Sequence, residues 1–130
     1  MGETSREELN AWIDKAADDL LAARLIAQNR GPTTVGCYLC QQALEKLLKA
    51  LLIHAGLTAP RSHDLVDLHQ RLGAHAHGLG LSLADLRGWS AYATAARYPG
   101  FPDLKSDTDL TKMITAAAVL LAHVRGQTTV

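Results

Sequence analysis

Apolar positions recur along this chain at steps of three and four residues, the period of a helix and not of a strand. The first such segment runs from about Ser5 to Arg30, with Leu9, Trp12, Ile13, Ala16, Leu20, Ala23 and Ala27 on one face. Ser5 and Glu8 have capping-box spacing, and Thr4 with Glu7 offers the same box one residue earlier. Gly31-Pro32 ends the segment by a left-handed cap and a missing N–H. The second runs from about Thr34 to Ala55, with Gly56 as its C-terminal cap. It is apolar over most of its circumference (Val35, Leu39, Cys40, Leu44, Leu47, Leu48, Leu51, Leu52), which marks the central helix of a bundle. A short third helix is predicted from about Asp64 to Arg71 or slightly beyond, capped by Ser62 or Asp64, with Leu65, Leu68 and Leu72 as its apolar edge. Gly73, Gly78 and Gly80 follow in a loose loop that carries histidines. The fourth begins at Ser82, with Asp85 as acidic capping partner and Leu86, Trp89, Ala93 and Ala96 as its face. It ends near Arg97, because Pro99 disfavours helix at Tyr98. The fifth begins near Asp107 to Asp109, carries Leu110, Met113, Ile114, Ala117, Leu120, Leu121 and Val124, and ends at Arg125-Gly126. Long helices on short loops predict an all-α, up-and-down bundle of about five helices, one domain over residues 1–130.

Composition agrees with this and narrows the chemistry. The 130 residues are 48% apolar, enough for a core, and only 5% aromatic. Thirteen basic side chains balance 13 acidic ones, so the net charge is zero and a domain built chiefly to grip nucleic acid loses ground, although a local patch can survive neutrality. Two cysteines are too few for a disulfide scaffold. No apolar run reaches the ~18 residues of a membrane span. The start of the chain lacks a signal peptide's order of residues, and Arg6 stands where myristoylation wants serine or threonine. A cytoplasmic location is expected. Phosphate-loop, dinucleotide, zinc-protease and nucleophile-elbow motifs are missing.

Polar residues on the second helix gather instead of scattering. Gln42, Glu45, Lys46 and Lys49 fall on one narrow stripe. A solvated face with a Glu45–Lys49 pair explains it, and so does the wall of a polar cleft whose lysines hold phosphate. His63-Asp64 precedes a helix: Asp64 suits the cap, and His63 either bonds locally or faces a ligand. Arg97 offers a bidentate cation, unless a carboxylate such as Glu45 or Asp64 uses it to tie helices together. Cys37 and Cys40 form a C-x-x-C inside a helix with no preceding strand, which points to small core residues and away from redox or zinc chemistry. His69, His75, His77 and His123 read as surface or loop residues. The stretch from Gly100 to Ser106, with an exposed Phe101 expected between prolines, is a candidate functional loop.

Four pieces in this order resemble the HEPN family of small helical domains. They are Trp12 with Ala16 and Asp19-Leu20; the string Cys40-Gln41-Gln42-Ala43-Leu44-Glu45-Lys46-Leu47-Leu48-Lys49-Ala50; Ser62-His63-Asp64-Leu65 with Leu68; and Ala96-Arg97-Tyr98-Pro99. The resemblance implies a homodimeric bundle of about five helices. It also implies one of several roles: toxin-system ribonuclease, nucleotide-binding module, or partner of a minimal nucleotidyltransferase. Catalytic members carry an arginine, four to six intervening residues and then a histidine near the end of a late helix. Arg97 occupies that region, but no histidine follows it before His123. Arg71 and His77 match the spacing in the wrong place, so we read that match as accidental. The expectation is therefore a non-catalytic binding or partner module with no cofactor or metal. Its pocket combines Arg97, Tyr98, Lys46, Lys49 and His63, with Asp64, Gln42 and Glu45 beside them. A metal-independent ribonuclease with a relocated histidine is the alternative, and a dimeric adaptor without a small ligand is the second.

Overall fold

The computed structural model describes residues 3–100 and 104–128, residues 3 and 4 by their backbone. Its helices are α1 (Glu3–Gln28), α2 (Thr33–His54), α3 (Leu65–Leu72), α4 (Leu83–Trp89), α5 (Tyr92–Ala95) and α6 (Ser106–Thr128), with a 3₁₀ turn at Gly73–Ala76 after α3. No strand occurs among the described residues. Phe101 lies outside them.

Three long helices make the frame. Lys46 meets Asp19 and Lys49 meets Trp12, so α1 and α2 run antiparallel. Cys37 meets Ser106 at one end of α6, while Leu51 and His54 share a pocket with His123 near the other, so α2 and α6 run parallel. The short helices carry the chain back between them. α2 is the hub: Leu44, Leu47, Leu48 and Leu52 are wholly buried, and Leu9, Leu20, Leu65, Leu68, Leu86, Met113 and Leu120 close around them. Gly36 permits the approach of α6, since a Cβ there would stand 2.8 Å from Leu110 Cδ1. Cys37 and Cys40 are free and buried; burial pushes both thiols up to about 12, so neither ionises near neutrality.

The helix ends correct several sequence expectations. α1 already begins at Glu3, so the Ser5–Glu8 and Thr4–Glu7 boxes lie inside the helix and not at its start. The left-handed residue after α1 is Arg30 (φ 55°), not Gly31, whose N–H closes the turn on the Ile26 carbonyl at 2.8 Å. α2 does end at Gly56: Leu57 N–H reaches the Leu52 carbonyl and Gly56 N–H the Ile53 carbonyl, with Gly56 at φ 79°. The fourth predicted helix is broken into α4 and α5 at Ser90, whose hydroxyl donates to the Leu86 carbonyl and accepts from Leu65 N–H at the start of α3. A helix-interior serine has been recruited to hold another helix. α6 continues through Gly126 to Thr128.

Candidate functional site

One side of α2 carries a polar stripe. Tyr38, Gln41/Gln42, Glu45 and Lys49 fall at helical steps of three and four, and the segment before α3 and the segment after α5 both lie against this stripe.

The centre of the stripe is a buried carboxylate. Glu45 is 4% exposed and Lys49 5%. Lys49 Nζ donates to Glu45 Oε2 at 3.2 Å and lies 5.5 Å from the Trp12 ring centre. Glu45 Oε1 meets His63 Nδ1 at 3.0 Å and the Gln41 amide at 3.3 Å. Gln41, wholly buried, also donates to the His63 carbonyl at 3.2 Å and accepts from the Gln42 amide at 2.7 Å. His63 is thus clamped at its backbone and its inner ring nitrogen, while its side chain remains 71% exposed. Asp64 caps α3, its Oδ1 accepting from Val66 N–H at 2.9 Å.

Two turns towards the N-terminus of α2, Arg97 lies over Tyr38. Its Nη2 donates to the Tyr38 hydroxyl at 2.8 Å, and the guanidinium carbon is 5.4 Å from the ring centre. That hydrogen bond pushes the guanidinium further up from its ordinary value. Neither Glu45 nor Asp64 ties Arg97 down: Glu45 is occupied by Lys49 and His63, Asp64 by the α3 cap, and Arg97 has no carboxylate partner among the described residues. Most of its donor fork therefore faces solvent, beside Tyr98 at 62% exposure.

The structure brings Gln42, Glu45, Lys49 and His63 together, with Arg97 and Tyr98 two turns along the same stripe. It does not bring Lys46 there: that ammonium, one ~100° step round the helix from Glu45, pairs with Asp19 of α1. Lys49 belongs to the cluster but is spent on Glu45 and Trp12, so the two lysines are not open phosphate donors. The Glu45–Lys49 pair anticipated on a solvated face is real and buried. Sequence reasoning missed Tyr38 and Gln41. The stripe extended one turn back would have found Tyr38, whereas Gln41 stood only within the family-like string and sits at a core position.

Other recesses carry less chemistry. A cleft of about 460 Å³ between the Leu79–Trp89 region and α6 is lined mainly by apolar groups with Lys112 and Asp85. His54, His75 and His123 share a pocket of about 240 Å³, yet among the described residues no three His, Cys, Asp or Glu side chains are placed to hold a metal ion. No helix among the described residues is long and apolar enough to cross a membrane.

No match was found among curated proteins. The crystal structure of an archaeal HEPN homologue is similar to this chain at TM-score 0.67 and 26% identity, covering 93% of this chain and 98% of that one. The family model described as "HEPN domain" matches residues 9–127, nearly the whole sequence, and the chain therefore belongs to the HEPN domain family.

Proposed function

We propose that this chain is a non-catalytic binding module that takes a phosphate-bearing nucleotide or a short stretch of single-stranded RNA on the Tyr38–Arg97 end of the stripe. The observation that carries this reading is the exposed Arg97 guanidinium, oriented by Tyr38 and spent on no carboxylate among the described residues. Holding a flexible cation in place before a ligand arrives lowers the ordering cost of binding. Its fork suits phosphate, and Tyr98 supplies an exposed ring on which a base stacks. By the same reading the module works as a homodimer and as the partner of a minimal nucleotidyltransferase, a role the family resemblance supports.

Calorimetric titration with ATP, GTP and a single-stranded RNA tests it. The expected result is saturable binding of at least one of them, weakened about tenfold or more in Arg97→Ala. The unfolding temperature of free Arg97→Ala should stay near that of the native protein, because the side chain is exposed. No heat with any of the three would favour a ligand-free adaptor, and equal affinity in Arg97→Ala would remove Arg97 from the site.

The ribonuclease reading has one observation in its favour. His63 is backed by the Glu45 carboxylate with its outer edge in solvent, an arrangement that suits a general base. RNA cleavage abolished in both Arg97→Ala and His63→Ala would establish it over the binding reading.

A further inference from the structure

We infer that His63 recognises a sugar hydroxyl, so that the site favours ribonucleotides over their deoxy counterparts. The inference rests on the binding reading above and adds the part of the ligand that His63 meets.

It follows from where the ring proton must lie. Glu45 receives the Lys49 ammonium on one oxygen and the Gln41 amide and His63 Nδ1 on the other. Both carboxylate oxygens already accept, Oε2 from Lys49 and Oε1 from Gln41, so Glu45 meets the ring as an acceptor. His63 Nδ1 therefore carries the proton, assigned from the network. In the neutral ring Nε2 then bears a lone pair, and it lies on the edge turned towards solvent. A phosphate oxygen, being an acceptor, does not pair with it; a hydroxyl does.

The clamp has a cost that folding does not require. A buried ion pair is matched or bettered in stability by apolar side chains of similar volume. Here the pair and Gln41 act together to fix one exposed imidazole. Tyr38 and Glu45, the residues that hold Arg97 and His63, are seven apart on α2, which is two turns and about 10 Å on one face. That separation suits a nucleoside polyphosphate with its phosphates at Arg97 and its ribose at His63, or adjacent nucleotides of a strand.

The test compares ATP with 2′,3′-dideoxy-ATP, and a single-stranded RNA with DNA of the same sequence, on the native protein and on His63→Phe. The expected result is a three- to tenfold preference for the ribose form, the scale of one hydrogen bond. His63→Phe should lose that preference and bind the ribose and deoxy forms with equal affinity. Imidazole ¹⁵N spectra of the native protein should place the His63 proton on Nδ1. Equal binding of both forms by the native protein, or a native ring protonated on Nε2, overturns the inference and leaves the binding reading standing. If neither member of either pair binds, the binding reading itself has failed.

Discussion

Replacing Glu45 with alanine should lower the stability of the folded chain by about 3–5 kcal/mol. The substitution strands Lys49, which is 5% exposed and has no other anionic partner among the described residues, only the face of Trp12. It also removes an acceptor from the Gln41 amide, which is wholly buried. With a total stability on the order of 5–15 kcal/mol for a domain of this kind, a loss of that size brings it close to unfolding. The double change Glu45→Leu with Lys49→Met should recover most of the loss, because the penalty comes from the unpaired charge and not from the missing contact. Urea denaturation at pH 7 of the native protein, the single variant and the double variant makes the comparison. A double variant as unstable as Glu45→Ala would show that the ion pair itself holds the bundle together.

Leu48→Ala should cost about 2–5 kcal/mol. Leu48 is fully buried on the helix that α1, α3, α5 and α6 all pack against, so the surroundings cannot collapse into the space without shifting one of them. Leu21→Ala on the outer face of α1, where the leucine is 57% exposed, should change stability by no more than about 0.5 kcal/mol. Thermal unfolding of the two variants side by side measures the contrast, and a similar drop in both would contradict the burial of Leu48 in the core.

The repeating pattern revealed the bundle because α2 could not be apolar nearly all round and remain on a surface. The Gly56 cap and the Asp64 and Ser82 caps were legible for a similar reason: each is a local bond between neighbours. The break at Ser90 was not legible, since it depends on Leu65, twenty-five residues away. The polar stripe was half visible. Glu45, Lys49, Gln42 and His63 stood out by type and spacing. The direction in which each charge is spent is a tertiary fact, which is why Lys46 read like Lys49 although it turns to α1. Arg97 was legible as a cation of interest, but its partner was not: a phenol on α2 was not among the carboxylates expected to hold it.

The most direct test follows the backbone amide signals of the ¹⁵N-labelled protein during titration with ATP. The shifts expected are confined to Tyr38, Gln42, His63, Arg97 and Tyr98 and saturate together. Shifts gathered instead around Trp89 and Val119, with that stripe unmoved, would place the binding site elsewhere and contradict the role of Arg97 as its phosphate-holding cation.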